Sequence, residues 1–473
     1  MPAIAPNPAA MSDISQIKSP HPQSYTNHVR ALLALGIPLV GSSVAGFAIH
    51  MTDTIMLGWY NVISLAAATI ATSFWFIIFI LGAGFGHAVM SLVAAAAAAG
   101  DEVRARRATR MALWLSLVFA IMVQPLLYWS EAVFLALGQT TDIAAEAQRY
   151  LRIAGFGMIP ALLVVVMRSY LSALHLTAVQ LWVTLAALVL NAVINYALIF
   201  GNWGAPELGI RGAAIASVIV QVITLVVLLV YAQVKMPQFR LYQRLWKADP
   251  SAIRDVFRLG LPIGLTSLAE SGFFTASAVM MGWIGEIELA AHGIALQLVA
   301  LMFMFHVGMS QAATIRAGNA FGRRDEVDLR RVAKTAFGVA LAFGLIVVVI
   351  FLTIPEALIS LFLDPSEPAR ATLLSIGATL VMLAALFQFV DSTQIIALSL
   401  LRGVQDTTVP MWLAAVSYWL VGLPASYVMA FVLDWGPVGL WLGLVVGLGA
   451  ASALLMWRFW GRSVRITRPV AAA

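Results

Sequence analysis

Apolar residues run along this chain in long unbroken blocks, separated by short stretches that hold most of the charge. The blocks fall near residues 31–57, 62–98, 110–130, 150–173, 178–200 and 209–233, then near 255–284, 287–318, 333–355, 370–400, 408–432 and 436–458. Roughly 20 apolar residues suffice for a helix to cross the hydrocarbon core of a bilayer. The pattern therefore predicts an all-α integral membrane protein of about twelve transmembrane helices, several of them long enough to tilt or project beyond the bilayer. Little of the 473 residues remains for a large soluble domain. Residues 1–29, rich in Pro, Ser, Asn and Gln and without an apolar run, read as a cytoplasmic tail and not as a signal peptide. The remaining expected boundaries are an N-terminal lobe over 30–234, a cytoplasmic linker over 235–254, a C-terminal lobe over 255–460 and a cytoplasmic tail over 461–473.

Composition strengthens this reading and removes others. Hydrophobic residues make up 61% of the chain and charged residues 11%, with a mean hydropathy of +0.92, against roughly 25% charged residues in soluble domains. The absence of cysteine excludes disulfide scaffolds, thiol nucleophiles and cysteine-ligated metal sites. A net charge of +6 and a pI near 9.7 invite a nucleic-acid reading, so the placement of the charges decides. With the N-terminus inside, all of the 28 lysines and arginines except Arg149, Arg152, Arg211 and Arg370 fall on the inner side. The positive-inside rule then puts both termini in the cytoplasm and explains the basic balance without nucleic acid.

The chain also matches itself without gaps at an offset of 224 residues. Gly36 and Pro38 meet Gly260 and Pro262; Met56, Gly58 and Trp59 meet Met280, Gly282 and Trp283; Leu65, Ala66 and Ala67 meet Leu289, Ala290 and Ala291. The polar residues Asp101, Glu102, Val103, Arg106 and Arg107 meet Asp325, Glu326, Val327, Arg330 and Arg331, which shared alanine-rich packing does not explain. Later in the halves the match is looser, with Gly209 and Gly212 against Gly436 and Gly439. Six spans per half is an even number, so both halves enter the membrane in the same direction. Such a parallel internal repeat is a transporter architecture, with two six-helix lobes rocking about a site near the bilayer midplane.

A carboxylate inside a span costs roughly 2.5–3.5 kcal/mol on insertion scales and marks a functional candidate by default. Asp53 lies late in the first span in MTDTIMLGW, with His50 three residues earlier on the same face. Glu270 lies inside the seventh span in SLAESGFF. Asp391 lies deep in the tenth in LFQFVDSTQII, flanked at three residues on either side by Gln388 and Gln394 in a polar stripe that predicts a cavity lining, with helix-to-helix hydrogen bonding as the alternative. No Lys or Arg stands mid-span to neutralise these acids, although Arg168 and Arg402 lie near the inner ends of spans. Acids without built-in cationic partners suit H+, Na+ or a cationic substrate. Asn191 and Asn195, one turn apart in the fifth span, can reach Asp53 or serve packing alone. Pro38 and Pro262 interrupt repeat-related helices and are expected hinges. The run Gly82, Gly84 and Gly86 lacks the flanking strand and Lys of a phosphate loop and reads as close helix packing. His87, His292 and His306 fall in spans without metal-ligand spacing, and no nucleophile triad is evident.

Taken jointly, LGIP with MTDTIMLGW, LGLPIGLTSLAE with ELAAH, FVDSTQIIALSLLRGVQDTTVP and the late SYWLVGLP resemble the multidrug and toxic compound extrusion (MATE) family, most closely its NorM-type branch, from about Arg30 to Trp460. The resemblance implies an exporter, not an enzyme, that exchanges cationic amphipathic drugs for inward H+ or Na+ without a further cofactor. On matching positions Asp53 corresponds to the N-lobe carboxylate, with Asn191 and Asn195 assisting. Glu270 and Asp391 correspond to C-lobe cation-site acids that could hold Na+, and Gln297 and Gln388 are added substrate contacts. His50, and Gly293 where relatives often carry Gln, depart from the pattern and bear on substrate contact and ion choice. The implied setting is a bacterial-type inner membrane, with one chain sufficient as a monomer and only small molecules, ions and the lipid bilayer as partners. The competing readings are a flippase for lipid-linked or polysaccharide precursors, which calls for cations within spans, and a channel or membrane enzyme.

Overall fold

The structure, a computed structural model, describes residues 24–366 and 368–466. The expected cytoplasmic tails lie largely outside the described residues. Among the described residues every regular element is helical. Twelve long helices follow one another: α1 (Tyr25–Tyr60), α2 (Val62–Ala98), α3 (Glu102–Met122), α4 (Thr141–Ala173), α5 (Ala178–Phe200) and α6 (Ile210–Lys235). The second set is α7 (Pro250–Ile284), α8 (Glu286–Gly322), α9 (Glu326–Thr353), α10 (Arg370–Gly403), α11 (Thr408–Val432) and α12 (Gly436–Ser463). Eleven of them are long and apolar enough to cross a membrane. The twelfth, α7, has 35 residues and ample length, but Glu270 and its serines and glycines dilute its apolar stretches.

Several boundaries differ from the hydropathy blocks, because a helix continues past its apolar stripe wherever its ends can be capped. The chain is already helical at Tyr25 rather than near Ala31, and His28 within that polar first turn is fully buried. Its ring nitrogen Nδ1 lies 2.9 Å from an Arg316 nitrogen, and Nε2 lies 3.6 Å from Asp328. α7 begins at Pro250, inside the expected linker, with proline in the first turn where no amide partner is needed and the Asp249 side chain accepting from the Ala252 amide at 3.2 Å. The block over 110–130 splits: α3 stops at Met122, and Pro125 restarts the chain in the short helix Gln124–Tyr128. α11 is interrupted by π-turns on both sides of Pro424.

The repeated polar motif has a mechanical reason. Asp101 accepts the Arg104 amide at 2.8 Å and caps α3, while Asp325 accepts the Asp328 amide at 2.9 Å and caps α9. The residues just before them, Gly100 and Arg324, both take a left-handed conformation with φ of +76° and +56°. Helix pairing repeats as well: α2 packs on α4 and α4 on α6, as α8 packs on α10 and α10 on α12.

The chain divides into two compact units. Of the described residues, one holds Gly41–Gly264; the other holds those from Leu265 onward together with residues 24–40. The breaks lie two residues beyond Pro38 and two beyond Pro262, positions related by the repeat offset. In consequence the first part of α7 belongs with α2, and the first part of α1 with α8. A Cβ placed on Gly84 of α2 would lie 2.3 Å from the Gly260 carbonyl of α7, and one on Gly308 of α8 would lie 2.4 Å from the Val40 amide of α1. Gly84 and Gly308 are themselves 224 residues apart, so one backbone-to-backbone crossing is built twice. The units therefore depart from boundaries drawn at 30–234 and 255–460.

Candidate functional site

Within the unit formed by Gly41–Gly264, three helices bring polar groups to Asp53 of α1. Asn195 Nδ2 of α5 donates to Asp53 Oδ1 at 2.6 Å and to Asn191 Oδ1 at 3.2 Å. A spacing of four residues puts Asn191 and Asn195 on one face, and both are buried. Ser217 of α6 and buried Tyr150 of α4 also lie close enough to interact with Asp53. Asp53 itself is half-buried, whereas His50 is exposed. Asn191 also lies close enough to interact with Asp53, and Asn195 Oδ1 is buried without a hydrogen-bond partner.

In the second unit Glu270 of α7, Asp391 of α10 and Tyr418 of α11 lie close enough to interact through their charges. Glu270 is half-buried and Asp391 is 1% exposed. Arg402, in the last turn of α10, also interacts electrostatically with Glu270. The acid thus has a guanidinium within electrostatic range, at the end of the span where the sequence puts it. The polar stripe of α10 is closed off by neighbours. Gln394 Nε2 donates to Tyr418 Oη at 2.5 Å, and Gln388 Nε2 lies 3.2 Å from His306 Nδ1. Both glutamines are fully buried, so in this conformation they bond between helices and do not line open space. Gln297 on α8 is half-buried.

Each amide of that stripe spends its nitrogen and keeps its oxygen. Gln388 Oε1, Asp391 Oδ2 and Gln394 Oε1 are all buried without a hydrogen-bond partner. Three acceptor oxygens at three-residue spacing on one helix, removed from water, form an electron-rich strip that a proton or a hard cation would satisfy. Aromatic rings close the surroundings: Phe273 stacks on Tyr418 at 5.5 Å, and Phe387 meets Phe274 at 5.9 Å and Trp441 at 5.8 Å. Trp441 Nε1 donates to His292 Nδ1 at 3.0 Å, giving that buried histidine a structural partner. Among the described residues no group of three or more His, Asp or Glu could hold a metal ion through those side chains alone.

Sequence reasoning missed Tyr150, Ser217 and Tyr418. Tyr418 stood within SYWLVGLP, but tyrosine is ordinary in a span and only its stacking on Phe273 and its bond to Gln394 distinguish it. Ser217, in an alanine- and valine-rich segment, carried no signal.

Comparison with known proteins places this geometry in context. Residues 38–197 and 262–428 both match the MatE family, one match in each half of the repeat. The chain is 42% identical over 452 residues to the probable multidrug resistance protein NorM of Rhizobium meliloti (strain 1021), covering 95% of this chain and 96% of the relative. It is 41% identical to the protein of the same description from Agrobacterium fabrum, covering 92% and 94%. Among solved structures it resembles a multidrug resistance MATE family transporter of the MOP superfamily in an outward-facing conformation, with a TM-score of 0.85, 20% identity and coverage of 93% and 97%. A MOP superfamily transporter from Pyrococcus furiosus is similar at a TM-score of 0.85 and 19% identity, covering 97% and 99%.

Proposed function

Because this chain belongs to the MatE family of membrane transporters, we propose that it is a secondary multidrug exporter, exchanging cationic amphipathic compounds for inward H+ or Na+. The observation that carries the reading is the strip of unpaired acceptor oxygens on α10, Gln388 Oε1, Asp391 Oδ2 and Gln394 Oε1, beside Glu270. Leaving buried acceptors unpaired costs roughly 1–3 kcal/mol each, so the strip favours a state in which a proton or sodium ion is bound. Asp53, held by Asn195, is a second acidic locus in the other half of the repeat.

The mechanism follows from charge. An acid that takes a cation from outside becomes neutral and loses its attraction for a cationic drug, which leaves. Rearrangement of the two repeats about Pro38 and Pro262 then carries the loaded acid inward, where it releases its ion and binds drug again. Moving one charge inward gains about 2.3 kcal/mol per 100 mV, enough for more than tenfold accumulation per charge. The transporter functions as a monomer in a bacterial-type inner membrane with both termini cytoplasmic; the concentration of Lys and Arg in segments of one side supports this orientation. The test is ethidium transport by the full chain in proteoliposomes, driven by an imposed proton or sodium gradient, with Glu270→Gln and Asp391→Asn alongside. One gradient is expected to drive transport and both variants to lose coupling; full coupled export in both variants overturns the mechanism.

A further inference from the structure

Away from the acidic clusters, the linker between the halves builds a basic cavity of about 520 Å³ against the start of α3. Arg106, Arg107, Arg110, Arg244 and Lys247 line it, with Asp249 as its one acid. The pocket is constructed by hydrogen bonds rather than left by loose chain. Arg106, Arg110 and Trp114 stand at four-residue intervals on one face of α3, and each donates to a linker carbonyl. Arg106 Nη1 reaches Phe239 O at 3.5 Å, Arg110 Nη1 bonds Gln243 O and also Arg244 O at 2.9 Å, and Trp114 Nε1 reaches Leu245 O at 2.8 Å. Arg107 pairs with Asp249. Among the described residues Arg106, Arg110, Arg244 and Lys247 form no ion pair, although Arg110 is only 6% exposed and its Nε, like that of Arg106, is buried without a partner.

The repeat supplies an internal control. At the related turn of the second half, Arg330 pairs with Glu326 and Arg323 with Asp328. The position corresponding to Asp328 is Arg104 in the first half. The first copy keeps Glu102 at the position of Glu326, but the acid that pairs with Arg323 is replaced by Arg104, and the linker adds further cations. Arg240 and Arg244 also hold left-handed backbone conformations, with φ of +45° and +57°, at turns where glycine would be easier. The pocket sits where α3 and α7 begin and α6 ends, at the ends of the spans, and Trp246 beside it is 80% exposed. Exposed tryptophan at a span end marks the headgroup layer of a bilayer, and basic pockets at this depth suit lipid phosphates.

We propose that this pocket binds the phosphate of an anionic phospholipid headgroup, with Arg106, Arg244 and Lys247 as the contacting cations and Trp246 resting in the interface. The probes are phosphatidylglycerol and phosphatidylcholine, read as adducts by native mass spectrometry of the full chain released from detergent. Phosphatidylglycerol is expected to remain bound at least fivefold more than phosphatidylcholine, and Arg106→Gln with Lys247→Gln to remove that preference. Removing the same charge at the related turn, with Arg330→Gln and Lys334→Gln, is expected to preserve it. In the unmodified chain, acetylation of Lys247 is expected to slow severalfold in phosphatidylglycerol nanodiscs relative to phosphatidylcholine nanodiscs, while Lys334 keeps its rate; this arm stands whether or not the variants fold. Equal loss of preference in both double variants, unchanged Lys247 reactivity, or displacement of phosphatidylglycerol by millimolar inorganic phosphate each overturns a lipid site, the last in favour of a free-phosphate site.

Discussion

The hydroxyl of Tyr418 shows how much one atom can organise in a dry interior. It accepts from Gln394 at 2.5 Å while its ring stacks on Phe273, so Tyr418→Phe keeps the packing and strands a buried amide donor. Such a donor costs roughly 1–3 kcal/mol, and Gln394 already has an unpaired oxygen. Tyr418→Phe is therefore expected to lower the thermal unfolding midpoint in detergent, whereas Tyr418→Phe with Gln394→Leu is expected to recover part of the loss. A double variant as destabilised as the sum of its singles would show that the two groups act independently. The acids were legible at this scale because a charge in an apolar run has no cheap explanation. Tyr418 and Ser217 were not, because hydroxyl-bearing residues are common in spans and only their neighbours give them a role.

Among elements, the tightest constraint is helix crossing. Gly84 meets the Gly260 carbonyl backbone to backbone, leaving no room for a methyl group, while Gly46 has nothing within 4 Å of the position its Cβ would take. Overpacking typically costs 1–3 kcal/mol, and more where backbone must move. Gly84→Ala is expected to reduce folded yield severalfold and to lower the unfolding midpoint, with Gly46→Ala close to wild type; equal behaviour of the two would contradict the crossing. The glycine run was readable as packing, but its partner was not, since nothing in α2 points to a helix some 175 residues later.

A second element-scale constraint is the docking of the linker on α3. Burial opposes ionisation of Asp249, yet hydrogen bonds from Ser251, Arg107 and the Ala252 amide outweigh it and hold the carboxyl down at about 2. A carboxyl lowered from the ordinary value near 3.9 stabilises the folded arrangement fully above about pH 4, and that contribution is lost as pH falls towards 2. The emission of Trp114, whose indole donates to Leu245, is expected to hold steady from neutral pH to about 4 and to shift below it. Asp249→Asn is expected to show the shifted emission already at neutral pH.

At the scale of the whole chain, the sequence repeat and the compact units disagree in one respect, and the disagreement carries a consequence for folding. Self-comparison finds two halves because duplication leaves its trace in linear order; packing need not respect that order. The first part of α7 belongs with the helices before it, where Val256 is fully buried, Ile263 is 2% exposed and Gly260 and Gly264 lie against α2. A fragment of the first half that stops at Gln243 would therefore expose the groove of α2 that those residues fill, and would also lose Asp249, the acid that pairs with Arg107. A fragment extended to Ile284 keeps both. In cells, the longer fragment is expected to accumulate severalfold above the shorter one and to resist proteolysis after solubilisation. Equal accumulation would mean that the start of α7 contributes little to the first unit, and that the boundary follows the duplication rather than the crossing of α2 with α7.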